Sequence, residues 1–163
     1  MYPIEGEKSF LEHELHLLST LDLITLKQKS GRDSTYFFST AAIRKVAYSR
    51  MLFSQRKQLH LDLAIYYQEN HPDDADYFGH LAHHWSQVLE GEQRPSNAHI
   101  LMATRYTRMA AEYAFCHEAT HEARKWLTKL QSLLLILPES EERQLAEKDT
   151  ANKLAKLPVR AVL

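Results

Sequence analysis

The chain has 163 residues, 44% hydrophobic and 25% charged, enough for a packed core in one ordinary domain or two small ones. A formal net charge of −1 removes any polyelectrolyte reason to hold nucleic acid or an anionic membrane surface. Four glycines and five prolines favour long helices, and the single cysteine, Cys116, cannot form an internal disulfide and suits a reducing compartment.

The chain opens with Met1-Tyr-Pro-Ile-Glu-Gly-Glu-Lys8, which has no basic region followed by an apolar core, so it does not read as a secretory signal. Ser9 and Glu12 stand at capping-box spacing, and Phe10, Leu11, Leu15, Leu18 and Leu21 follow on a helical period. From Asp22 the pattern changes. β-Branched and aromatic residues flank a Ser30-Gly31 turn signal, and a short hairpin is expected there. Helix followed by hairpin is the second half of a winged helix; the other reading is a helix and a surface hairpin packed on a bundle. A winged helix raises the question of DNA, but its recognition-like helix carries Glu12, His13, Glu14 and His16 with only Lys8 nearby. Acidic residues facing phosphates are repulsive. Lys27, Lys29 and Arg32 on the hairpin are too few to reverse that, so no nucleic-acid partner is expected.

Ser39 or Thr40 is placed to cap the next helix, along which Ile43, Val46, Ala47 and Met51 make an apolar face. The pattern restarts near Ser54, with Leu59, Leu63, Tyr66 and Tyr67 as a second face. Asn70-His-Pro-Asp-Asp breaks the chain, and Asp73 or Asp74 can cap the helix after the break. Phe78, Leu81, Ala82, Trp85, Val88 and Leu89 then form the cleanest amphipathic stripe in the sequence. After Gly91–Asn97, a helix started by Ser96 or Asn97 is lined by Met102, Tyr106, Met109 and Tyr113, with Ala110 and Ala114 allowing close approach. A turn near Cys116 leads to a helix bearing Ala123, Trp126, Leu127, Leu130, Leu133 and Leu134, which Pro138 stops. Ser140 can cap a last segment whose stripe is thin: Leu145, Leu154 and Leu157. Such a helix is poorly stabilised alone, so this segment reads as half of a helix pair or as a frayed tail. The longest apolar run, Leu133 to Leu137, falls far short of the roughly 20 residues of a membrane span, and a cytoplasmic location is expected.

The fold class is therefore all-α: part of a winged helix with a short β-hairpin over 1–38, antiparallel helix pairs of a tetratricopeptide-like solenoid over 39–137, and an incomplete helix and tail over 138–163. No strict repeat of about 34 residues can be read off.

Few residues suggest chemistry. His117-Glu-Ala-Thr-His121 is a literal H-E-x-x-H, which on one helix places two imidazoles for zinc and a general base between them. It lies where one apolar face gives way to the next, so it is expected to span a turn, and the residue six beyond His121 is Leu127 rather than a third ligand. A zinc hydrolase ranks third among the functional readings. His80, His83 and His84 project away from the apolar stripe of their helix and read as solvated, with His80 and His84 spaced to chelate a divalent metal weakly. His13 and His16 read as solvated too. Cys116 is expected to be a small buried residue at a helix turn, and there is no phosphate-binding glycine loop.

Phe38-x-x-x-x-Ile43-Arg44-x-x-Ala47-Tyr48, then Arg56-x-x-Leu59-His60-x-x-x-Ala64, resembles the segment that comes after the ATPase module in large signalling ATPases. Leu81-Ala82-x-His84-Trp85, Ala110-Ala-Glu-Tyr-Ala114 and Glu122-Ala123 resemble the tetratricopeptide-like helices that come next there. Spread over about residues 9 to 137, these motifs look like the helical region of the soluble, type 10 adenylate cyclase family. Where that family often has a histidine two residues after the phenylalanine, this chain has Thr40, which suits a helix cap. The resemblance implies a parent with two cyclase domains and an ATPase module, making cyclic AMP from ATP with a divalent metal. It implies a regulatory or scaffolding role for this chain, with no catalytic, cofactor or metal residues of its own. The partners implied are the upstream ATPase and cyclase modules, with the solenoid surface as a place for a protein partner. An ATPase-type regulator, with a transcriptional output and no cyclase, shares the same junction and stands as the alternative.

Arg44, Tyr48, Arg56 and His60 carry the one joint-like feature. The two guanidinium groups can reach carbonyls or carboxylates between helices, and Tyr48 and His60 offer polar tips on partly apolar bodies. They read either as ordinary helix packing with surface arginines or as a joint that passes the state of an ATPase to the helical array.

Overall fold

The computed structural model describes residues 8–30, 33–90 and 94–158, with side chains over 10–27, 34–90 and 94–158. It is mostly α-helical, with seven helices and one two-stranded antiparallel hairpin among the described residues. The chain forms two compact units, Met1–Phe53 and Ser54–Leu163.

In the first unit, α1 (Lys8–Thr20) ends where the Leu23 amide donates back to the Leu18 carbonyl at 3.0 Å. Asp22 sits between them at φ 54, a left-handed position that aspartate tolerates better than most residues. The Ser9 cap lies outside the described side chains. β1 (Ile24–Ser30) pairs antiparallel with β2 (Asp33–Phe38), Ile24 opposite Phe38, with one irregularity between Leu26 and Gln28. The expected turn residue Gly31, together with Arg32 and the side chain of Lys29, lies outside the described residues. Lys27 places its ammonium 4.4 Å from the centroid of the Phe37 ring. Thr40, extended at φ −140, caps α2 (Ala41–Arg50) by accepting from the Ile43 amide at 3.2 Å. The apolar face expected along α2 is not a buried one. No residue of α2 is buried, Val46 is 60% exposed, and Met51 falls beyond the helix as its C-cap. Spacing aligns such residues on one side, but burial needs an opposing surface. Ile24 is the buried hydrophobic side chain of this unit among the described residues.

The second unit contains α3 (Phe53–Asn70) from its second residue on, then a 3-10 turn (Ala75–Tyr77), α4 (Phe78–Leu89), α5 (Asn97–Cys116), α6 (Thr120–Leu134) and α7 (Glu141–Lys156). Asp74, Ser96 and Ser140 supply the side-chain caps, accepting from the amides of Asp76, His99 and Arg143. Short connections return the chain so that α4 packs on α5, α5 on α6, and α6 on α7. On α4, Leu81, Ala82, Trp85 and Val88 are buried as the stripe requires, and on α6 all six expected residues are buried. α5 keeps most of its expected lining. Tyr106, Ala110 and Ala114 are buried, and Met102 and Met109 pack partly buried against the core. Ala103 and Ala111 add to the contact faces, whereas Tyr113 is 37% exposed. The α5–α6 turn closes with the Ala119 amide donating to the Ala114 carbonyl at 2.9 Å and Glu118 at φ 56, the position glycine usually takes.

α7 is anchored chiefly at its far end. Leu157 is buried and Leu154 packs against the core, while Leu145 of the thin stripe is 70% exposed. Arg124 of α6 donates to the carbonyls of Leu157 and Pro158 at 3.3 and 2.9 Å, meeting acceptors that the helix end leaves open. Lys153 reaches Asp149 at 2.7 Å and Glu112 of α5 at 3.6 Å. No described helix is long and apolar enough to cross a membrane.

Candidate functional site

α3 uses only part of the face that its sequence marks. Its buried residues are His60 and Ala64, with Tyr67 and Leu61 partly buried beside them, whereas Leu59 and Tyr66 are 39% and 50% exposed. Of the expected face Leu59, Leu63, Tyr66 and Tyr67, Tyr67 packs against the core and Leu63 is partly buried. The most buried positions, 60 and 64, lie one residue on from 59 and 63, about 100° around the helix. The cause is the partner surface. α4 presents imidazole rings toward α3, and flat rings stack on rings better than on branched aliphatics.

Tyr67 stacks on His80 and on His84, each at 5.7 Å between centroids with interplanar angles of 28° and 17°. His71 stacks on Tyr77 at 3.8 Å and 6°. At the end of this run His60 meets His84, Nδ1 to Nδ1 at 2.8 Å. Two neutral imidazoles can make that contact only if one carries its proton on Nδ1 and the other on Nε2. His83 completes the group, 5.5 Å from His60 and 5.2 Å from His84 between ring centroids. One ring nitrogen from each of the three lies within 4.8 Å of the others, the sole such potential metal-binding group among the described residues.

The site favours neutral rings. Burial first, then the neighbouring His83, His60 and His80, push His84 down to about 4. His60 is lowered by burial and then by His83, against an upward pull from Glu90. His83 is lowered by desolvation and then by Lys125 and His80, again with Glu90 opposing. Neutral imidazoles with lone pairs turned inward are what a transition metal needs. Of the three histidines read as solvated, His80 and His83 are exposed, but His84 is half-buried against α3. The metal-binding pair that spacing suggests, His80 with His84, is not the group that forms: His84 is grouped with His83 of its own helix and with His60 from another, which counting along one helix does not reveal.

The H-E-x-x-H match spans the turn between α5 and α6, since α5 ends at Cys116 and α6 starts at Thr120. His117 Nδ1 donates to the Tyr113 carbonyl at 2.8 Å and its ring packs on Tyr113, while His121 is 78% exposed beside Glu122. The two imidazoles therefore do not share one helical face. Cys116, expected to be buried, is exposed at the end of α5. His13 and His16 lie on the exposed side of α1. Of the joint residues, Arg44 and Tyr48 belong to α2 in the first unit, Arg56 and His60 to α3 in the second.

A second feature lies between α5 and α7. α5 and α7 wall an open groove of about 940 Å³ floored by Leu127, Leu130 and Leu134 of α6. Arg105 and Arg108 line one wall, Leu145 and Asp149 the other. An apolar floor between charged rims suits an amphipathic segment better than a small anion.

Comparison of the chain with known protein families, with curated proteins and with solved structures finds no match in any of the three.

Proposed function

We propose that this chain is a non-catalytic regulatory or scaffolding segment of a cytoplasmic signalling protein of the soluble adenylate cyclase kind, whose parent makes cyclic AMP from ATP. The observation that carries this reading is the stack α4–α7, consecutive helices with an open groove and with the H-E-x-x-H residues split across a turn. Stacked helices of this kind present extended surfaces for other protein segments rather than enclosed reaction sites. The spaced residues behind the family resemblance support it: Phe38 ends β2, and Leu81, Ala82, Trp85, Ala110 and Ala114 are buried between helices. In this reading the upstream ATPase and cyclase modules are partners on the same polypeptide, and Arg44 and Arg56 belong to the joint that relays nucleotide state.

The test is made in the full-length polypeptide. Arg44→Ala and Arg56→Ala should each change the ATP dependence of cyclic AMP formation while leaving the far-UV circular dichroism of the chain unaltered. Unchanged nucleotide dependence in both variants removes the relay. A parent that hydrolyses ATP and forms no cyclic AMP replaces the cyclase reading with the ATPase-type regulator.

A further inference from the structure

We propose that His60, His83 and His84 form a binding site for a divalent first-row transition metal that clips α3 to α4. The Nδ1 atoms of His60 and His84 stand 2.8 Å apart. An ion about 2.05 Å from each nitrogen subtends an angle of about 86° between them. That is the cis angle of a square-planar or octahedral centre, the arrangement that nickel(II) and copper(II) favour with nitrogen ligands. A tetrahedral ion would need the nitrogens about 3.3 Å apart, so zinc requires the rings to open by roughly half an ångström. The separation of these two nitrogens is thus already close to what a tetragonal or octahedral ion wants from two of its ligands. Binding needs both rings to turn so that their lone pairs leave the Nδ1–Nδ1 line and meet at the ion.

The third ligand comes from the same short group. His83 offers a ring nitrogen within 4.8 Å of both others, and its exposure leaves it able to turn its ring without moving a helix. The remaining coordination positions fall to water. Binding through Nδ1 needs each proton on Nε2. The proton now bridging His60 and His84 therefore moves to the far nitrogen of its own ring, and no net proton is released.

Surrounding groups support the assignment in balance. Tyr67 stacks on His84 and holds its plane, a fixing role that outer-shell partners commonly play around metal-bound imidazoles. Glu90 favours positive charge at the site. Lys125 and Lys129 of α6 oppose it, but Lys125 is already paired with Glu122 at 3.2 Å. The metal replaces the hydrogen bond between His60 and His84 with two or three coordinate bonds, so it should stiffen the joint between the aromatic run and the helical stack.

The probe is nickel(II) chloride, titrated calorimetrically into the untagged full chain, with zinc(II) as comparison. About one equivalent should bind, and the thermal midpoint should rise with metal concentration as linkage requires. His83→Ala, at an exposed position where folding is not at risk, should weaken nickel binding by about tenfold or more. His84→Ala should abolish it, with circular dichroism checking that the variant is folded. A double variant at His117 and His121 should bind as the parent chain does. Substoichiometric binding, an unchanged affinity in His83→Ala, or loss of binding only in the His117 and His121 variant overturns the proposal. If His84→Ala does not fold, the His83→Ala result decides alone.

Discussion

α2 and α4 carry apolar residues at the same helical spacing, and the two helices have opposite fates. Along α4, Leu81, Ala82, Trp85 and Val88 are buried against α5 and its neighbours. Along α2, none is buried, and Leu26, Phe37 and Phe38 of the adjoining hairpin are each nearly half exposed. Local pattern is similar, and what differs is whether tertiary neighbours supply a matching face. Helical stability in proteins comes mainly from such packing rather than from propensity, so the two units should respond to the same class of mutation very differently.

The largest contrast is expected in the core. Leu81→Ala or Leu127→Ala removes a fully buried side chain in the second unit and should cost about 2–5 kcal/mol in urea unfolding. Val46→Ala, at a position 60% exposed, should stay within about 0.5 kcal/mol. A cost for Val46→Ala comparable to that for Leu127→Ala would break the comparison, since α2 would then have to be packed as tightly as α6.

Acid sharpens the contrast from the second unit's side. The ordinary histidine value is 6.5, and His84 in the fold is held at about 4. Between those values the unfolded chain binds a proton that the folded chain does not, so stability falls as pH drops below about 6.5 and levels off below about 4. The rings and charges around it are His60 and Tyr67 on α3, His80 and His83 on its own helix, Glu90 just beyond it, and Lys125 and Lys129 on α6. His60 and His83 are shifted the same way and add to the effect. Because the site is partly open to solvent, the loss is expected to be on the order of 1–3 kcal/mol. Urea midpoints measured from pH 7.5 to 4, in metal-free buffer, should decline for the parent chain and decline less for His84→Gln. A flat profile would mean that the α3–α4 contact loosens enough to protonate freely.

These differences mark how far the sequence can be read. The six-residue face of α6 and the caps at Thr40, Ser96 and Ser140 are legible, because each is a local signal whose tertiary consequence is simple. The hairpin is legible from its β-branched and aromatic runs. The burial of His60 and His84 is not. Hydrophobic counting treats imidazole as polar, and it takes the contact of two rings 24 residues apart in sequence, on different helices, to show that they face each other. The same counting puts Tyr67 of α3 inside correctly, but it also puts Leu59 and Tyr66 inside, where both are exposed, and leaves His60 off the apolar face. On α5 it places Tyr106, Ala110 and Ala114 correctly in the lining and misplaces Tyr113. Periodicity reports which residues share a side. It does not report what that side meets.

The smallest expected effect separates the units most cleanly by kind rather than by size. Thr40 and Ser96 make the same capping bond, each accepting from the amide three residues on at 3.2 Å. Replacing either by alanine should cost about 1 kcal/mol. In α5 the run of buried residues from Ile100 to Ala114 ties the helix to the core, so the cost of Ser96→Ala should spread into global stability. Amides in the middle of α5 should then exchange only through unfolding of the whole unit. α2 has 10 residues and no buried side chain, which leaves it near the threshold where a helix frays by itself. Thr40→Ala should therefore raise exchange of the Arg44–Ala47 amides about fivefold while leaving the urea midpoint of the second unit unmoved. Native-state amide exchange on both variants measures this directly. Equal acceleration in α2 and α5 would place the two helices under the same cooperative unfolding, and the division between a locally held first unit and a core-held second unit would then fail.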